Sequence, residues 1–274
     1  MEQQPIGVFD SGYGGLTILR EFIQVLPQYD YLYLGDNARA PYGPRSFETV
    51  YRYPLQCVRW LFARGCPLVI VACNTASAKA LRTIQQNDLP HINPKNRVLG
   101  VIRPTTETIG TFTRSNEVGI LATAGTVLSG SYLIETKKFF PQVNVYQEAC
   151  PMWVPLVENN EYAGPGADYF VERHVKHLLG KGKRIDTVLL ACTHYPLLKN
   201  KIRQYLPGHV SLLSQGEIVA KSLADYLKRH PETESRCSKQ GIVKFYTTDS
   251  TEDFDAHAAI FFEESIHSEH VGIG

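Results

Sequence analysis

Val69-Ile70-Val71-Ala72-Cys73-Asn74-Thr75 and Val188-Leu189-Leu190-Ala191-Cys192-Thr193-His194 are the two stretches on which the fold turns. Each is an unbroken apolar run that ends in Ala-Cys and two polar residues, and each leads into a stretch of helical composition. A continuous apolar run, unlike an alternating one, predicts a strand covered on both faces, as in a parallel sheet. The cysteines stand 119 residues apart, so the chain offers the same strand–turn–helix unit twice. In an open parallel sheet that places each thiol at the carboxyl end of a strand, where clefts form. It also places each at a helix N-terminus, where unpaired N–H groups and the helix dipole favour a thiolate.

The same alternation extends outward. Ile6 to Phe9 reads as a strand, followed by the glycine-rich turn Asp10-Ser11-Gly12-Tyr13-Gly14-Gly15 and a helix from Leu16 to Leu26. Tyr31 to Leu34 is a strand, Arg39 to Pro44 a proline-broken loop, and Ser46 to Arg64 a helix. Leu68 to Ala72 is a strand and Ala76 to Gln86 a helix. Further on, Gly119 to Ala122 is a strand, Thr123 to Thr126 a turn, and Ser129 to Phe139 a helix. Asp186 to Ala191 is a strand, with a helix over Tyr195 to Tyr205. The prolines at 151, 155 and 165 predict an irregular loop over Cys150 to Gly166, leading to a helix from Ala167 to Leu179. A helix near Ile218 to Lys228 and a strand near Val243 to Thr247 follow, separated by an exposed polar loop over His230 to Gln240. The fold class is α/β with mainly parallel sheet. The residues alone do not assign the C-terminal part to either half.

Composition narrows the function. The chain has 274 residues, 43 % hydrophobic and 20 % charged, with 28 Lys+Arg against 27 Asp+Glu and a formal net charge of +1. That balance implies no bulk attraction to nucleic acid or to an anionic membrane. No run approaches the ~18 apolar residues of a membrane span. The start, MEQQPIGVFD, lacks the basic residues of a signal peptide. Six cysteines without a C-x-x-C pair suit neither a disulfide scaffold nor a zinc ribbon, so a reducing, cytoplasmic setting is expected. The turn at 10–15 fails the G-x-G-x-x-G count, because position 17 is Thr17. His267 and His270 find no further ligand cluster, no P-loop or H-E-x-x-H appears, and neither a metal nor a cofactor is expected.

Two thiols facing one substrate carbon suit a particular task. One removes a proton from one face and the other returns a proton to the opposite face, which inverts a stereocentre. Acid–base work of this kind needs pKa values tuned toward the working pH. Asp10 is placed to assist Cys73, and His194 to assist Cys192. Ser11 with the Gly12 to Gly15 backbone precedes a helix and reads as an anion site. Asn74, Thr75, Thr123, Thr126 and Thr193 occupy comparable turns, where capping a helix is the alternative role of each.

These motifs carry a resemblance. Ile6 to Gly12 with Gly14-Gly15-Leu16, Gly35-Asp36, Pro41-Tyr42-Gly43, Ala72 to Ala76, Thr123 with Thr126, Val154 to Glu158, and Cys192 to Pro196 together resemble the glutamate racemases of the cofactor-independent aspartate/glutamate racemase superfamily. The resemblance implies two pseudo-symmetric α/β domains facing each other across a cleft: 1–100 plus about 211–274, and 101–210. It implies Cys73 and Cys192 as the acid–base pair, acting on D- and L-glutamate respectively. Asp10, His194 and Glu158 would be catalytic helpers. Ser11, Pro41, Tyr42, Gly43, Asn74, Thr75, Thr123, Thr126 and Thr193 would bind substrate. It further implies supply of D-glutamate for peptidoglycan, no cofactor, no nucleic-acid requirement and a possible homodimer. The chain departs from the pattern at Ala191, Arg103-Pro104 and Ser214-Gln215-Gly216. Rival readings are racemisation of aspartate or a hydantoin, a cysteine hydrolase built on Cys192 and His194, and a non-catalytic binding module on the same fold.

Overall fold

The computed structural model describes residues 3–273. Its strands are β1 (Ile6–Asp10), β2 (Tyr31–Gly35), β3 (Leu68–Val71), β4 (Arg97–Gly100), β5 (Glu117–Ala122), β6 (Asn144–Ala149), β7 (Thr187–Ala191), β8 (Ser211–Ser214), β9 (Val243–Thr247) and β10 (Ser268–His270). They form two sheets, ordered β10-β9-β2-β1-β3-β4 and β6-β5-β7-β8. Every pairing in both sheets is parallel. The structure is therefore α/β with parallel sheets.

Successive strand residues enter different cores, which explains the unbroken apolar runs. Leu68 and Ile70 pack with Leu19, Phe22 and Val8 on one side. Val69 and Val71 pack with Val50, Val58 and Leu61 of the helix Phe47–Ala63 on the other. In β7, Val188 and Leu190 join the first of these cores and Leu189 and Ala191 a separate one. The first core thus runs from one sheet to the other and holds the two lobes together.

Several local expectations change. A helix, Trp153–Glu158, stands where an irregular loop was expected. Pro155 is its third residue, in the first turn, where no N–H has an intrahelical partner to lose. The following helix starts at Pro165 itself. The turn at Thr123 is already helical from Ala124, with Thr123 as N-cap, and Gly130 at φ +65° separates it from the helix Ser131–Phe139. The loop over 230–240 is not fully exposed. Pro231–Glu234 forms a helical turn, and Thr233, Cys237 and Ser238 are buried, because Gln4 bonds the backbone at Arg236 and Ser238. Leu212 and Leu213 pair with β7, so the chain leaves the second sheet after Ser214 and not at about residue 211.

Candidate active site

The carboxyl ends of β3 and β7 deliver Cys73 and Cys192 to one crevice between the lobes, and β5 delivers Thr123. A cavity of about 20 Å³ is lined by Cys73 and Cys192 together with Ser11, Pro41, Tyr42, Gly43, Asn74, Thr75, Thr123, Val154, Glu158, Thr193 and His194. Both thiols are 6 % exposed. Twelve of the fourteen residues anticipated above therefore meet at this crevice. Asp10 and Thr126 stand behind its wall, each fully buried. The Asp10 carboxylate accepts the Gly12 N–H at 2.9 Å and the Thr193 hydroxyl at 3.4 Å. Thr126 accepts from the Thr123 hydroxyl at 3.1 Å. A larger cavity, about 610 Å³, lies behind the helix that follows Cys73, bordered by Ser77, Gly100, Ser131 and Tyr226, and contains none of these residues.

The two cysteines sit in unlike environments. Cys73 is the N-cap of the helix Asn74–Lys79, its sulfur accepting the Ala76 N–H at 3.4 Å. Burial nevertheless pushes its thiol up to about 12, helped by the Asp10 carboxylate, while the Ser11 hydroxyl and the Ala76 N–H oppose this. The expected thiolate preference from the helix end is thus outweighed by desolvation, which disfavours the charged form. Cys192 does not cap an α-helix. It precedes a short 3₁₀ turn, Tyr195–Leu198, and its partner is His194, whose Nδ1 lies 3.9 Å from the sulfur. On its other side His194 presents Nε2 to Glu158 Oε1 at 3.0 Å. Burial works against a charge on this ring, but hydrogen bonds to Cys192 and Glu158 prevail and raise it to about 10. Burial also raises Asp10, against the lowering effects of His194 and of the Gly12 and Gly15 N–H groups.

The lobes meet through short contacts. The Thr75 and Thr123 hydroxyls lie 2.8 Å apart, and Thr17 donates to the Thr193 carbonyl at 3.1 Å. A Cβ on Gly14 would overlap the Thr193 hydroxyl and the His194 ring, so only glycine allows this approach. Two supports were quoted in motifs but given no site role from the sequence. Asp36 receives the Tyr42 hydroxyl, Arg39 and Thr248, which fixes the 41–43 wall. Gln215 accepts from Asn74 at 2.8 Å and donates to Tyr132 at 2.7 Å and Thr105 at 2.9 Å. Its position within a departure from the family pattern was the available signal. Val154, which lines the crevice, had only its place in the 154–158 motif.

The sequence profile described as "Asp/Glu/Hydantoin racemase" matches residues 14–223. A glutamate racemase of Geobacter metallireducens is 41 % identical over 250 residues, 91 % of this chain and 89 % of that one. One from Streptococcus equi subsp. equi is 37 % identical over 272 residues, 99 % of both. Among solved structures, a glutamate racemase isoform of Bacillus anthracis superposes with a TM-score of 0.90 at 32 % identity, covering 100 % of this chain and 99 % of that one. The glutamate racemase of Francisella tularensis in complex with D-glutamate does so with a TM-score of 0.88 at 30 % identity, with the same coverage.

Proposed function

The chain belongs to the Asp/Glu/Hydantoin racemase family as a glutamate racemase, and we propose that it inverts glutamate by passing protons through Cys73 and Cys192 on opposite faces of Cα. It is an isomerase whose product, D-glutamate, serves peptidoglycan synthesis, a role that follows from the family. The observation that supports the two-thiol mechanism is that both cysteines line a single cavity.

In the direction from L- to D-glutamate, Cys192 removes the Cα proton and Cys73 donates one from the other face. In the return direction the roles exchange. His194, held charged between Cys192 and Glu158, stabilises the Cys192 thiolate that takes the proton from L-glutamate and that forms again when Cys192 donates in the return direction. Asp10, whose carboxylate acts on the Cys73 thiol electrostatically, assists proton transfer at that thiol. Ser11, Asn74, Thr75, Thr123 and Thr193 line the crevice as the polar groups that would hold the two carboxylates of the substrate, and Pro41, Tyr42 and Gly43 complete its wall. Thr126 serves by orienting Thr123. The mechanism needs two Brønsted groups and no cofactor. A hydrolase using Cys192 and His194 alone would leave Cys73 without a task in the same cavity.

We divide the molecule into a first lobe, through Gly100 and again after Ser214, and a second lobe between them. No helix among the described residues is long and apolar enough to cross a membrane. We place the enzyme in the cytoplasm, in keeping with six buried free cysteines. We also infer a homodimer, supported by the exposed apolar side chains of Leu128 and Ile134. Sedimentation velocity on the pure chain tests that state. Incubation of each glutamate enantiomer in deuterated buffer tests the function: deuterium appears at Cα of the product with the wild-type chain, and its absence would refute the mechanism.

A further inference from the structure

The helix Pro165–Lys181 lies against the edge strand β6, and one carboxylate stands between them. Glu148 Oε1 is 2.7 Å from His174 Nδ1 and 3.6 Å from His177 Nδ1. Its other oxygen, Oε2, takes Lys181 Nζ at 2.7 Å. The three donor atoms of Glu148, His174 and His177 fall within 4.8 Å of one another. The side chains of Glu148 and His174 are each 10 % exposed, whereas that of His177 is 55 % exposed. Nothing in the racemase mechanism uses this group.

We propose that Glu148, His174 and His177 form a binding site for a borderline divalent cation of the zinc class. Two imidazole nitrogens converge on a single carboxylate oxygen, although one hydrogen bond to that oxygen would satisfy a simple tether. A cation bound at roughly 2.0–2.2 Å to each ligand would set donor separations near 3.3 Å. The observed 2.7 and 3.6 Å bracket that value, and the three donor atoms lie within 4.8 Å of one another before any ion draws them in. Lys181 on Oε2 leaves Oε1 to bind the ion singly and orients the carboxylate. Two nitrogens with one oxygen favour zinc, cobalt, nickel or copper over magnesium and calcium, which prefer oxygen shells. The exposed side of His177 provides the entry path and leaves a coordination position for water.

The site has a physical line to the catalytic crevice. His174 meets the Trp153 ring edge-on with centroids 6.1 Å apart, and Trp153 packs on Tyr195 at 4.8 Å. Trp153 opens the helix that carries Glu158, and Tyr195 follows His194. The site thus touches, through Trp153 and Tyr195, the elements that carry Glu158 and His194.

The test is a Co²⁺ titration of the full-length Cys73→Ser, Cys192→Ser chain, in which the crevice thiols cannot compete. One Co²⁺ per chain with d–d absorption and no sulfur-to-cobalt charge transfer is expected. His177→Ala in that background, whose lost ring is mostly in solvent, should bind at least about tenfold more weakly. Glu148→Gln should do the same, and His177→Ala keeps the test decisive if Glu148→Gln fails to fold. Lack of uptake, an affinity unmoved by His177→Ala, or displacement by an equal concentration of Mg²⁺ would overturn the proposal.

Discussion

His194 Nε2 and Glu158 Oε1 lie 3.0 Å apart, with the ring 5 % and the carboxylate 21 % exposed. Two segments far apart in the chain thus form one charged pair beside Cys192. Because His194 is raised from 6.5 to about 10 in the folded chain, its stabilising contribution is complete below about pH 6.5 and fades as the pH climbs through 10. Stability measured by urea unfolding should fall across that alkaline interval. In Glu158→Gln the fall should shift to lower pH. An unchanged profile in that variant would show that the pair does not hold the ring's proton.

The two thiols should be indispensable in both directions. Cys73→Ala and Cys192→Ala are each expected to lower turnover of either enantiomer by at least about 10²-fold, and by up to about 10⁴-fold. Circular dichroism of the glutamate pool reads this directly. A single variant with near-normal rates in both directions would break the assignment.

Gly14 governs how closely the lobes approach. Gly14→Ala forces a methyl group into the Thr193 hydroxyl and the His194 ring. A stability cost of about 1–3 kcal/mol is expected from such overpacking, together with a loss of kcat larger than any change in KM, because His194 is displaced. Thermal unfolding and steady-state kinetics on one preparation separate the two effects.

A 20 Å³ crevice has room for about one or two waters, far less than glutamate needs. Substrate entry is therefore expected to need the lobes to part. A Thr75→Cys, Thr123→Cys pair, placed where the hydroxyls are 2.8 Å apart, should oxidise to a cross-link that holds the lobes shut. Because both threonines line the crevice, the reduced variant is the reference: its remaining turnover should disappear on oxidation and return with dithiothreitol. Full activity in the verified cross-linked form would rule out opening as a step in the cycle.

Gln215 satisfies buried polar groups of both lobes, including Asn74, Tyr132 and Thr105. Gln215→Ala takes the acceptor from the buried Asn74 amide, while Tyr132 and Thr105 keep their bonds to Asn74 and to the Val101 carbonyl, so a cost of about 1–3 kcal/mol is expected for the one group left unpaired. The midpoint of urea unfolding should drop accordingly. A midpoint equal to that of wild type would show that the Asn74 amide finds another acceptor.

By itself, the sequence determined the central strands, the α/β class and the placing of Cys73 and Cys192 at strand ends. Central strands bury both faces, so their apolar runs are continuous and legible. The edge strands β4, β6, β8 and β10 escaped notice because each keeps a face partly exposed and carries polar residues such as Arg97, Asn144, Ser211 and Glu269. Tertiary structure alone decided that the two cysteines share one cavity, that burial outweighs the helix end at Cys73, and that Asp10 and Thr126 stand behind the wall. It also brought Glu148 from an edge strand to a pair of helical histidines. The physical reason is that desolvation and contact between lobes depend on residues distant in the chain, which local pattern cannot register.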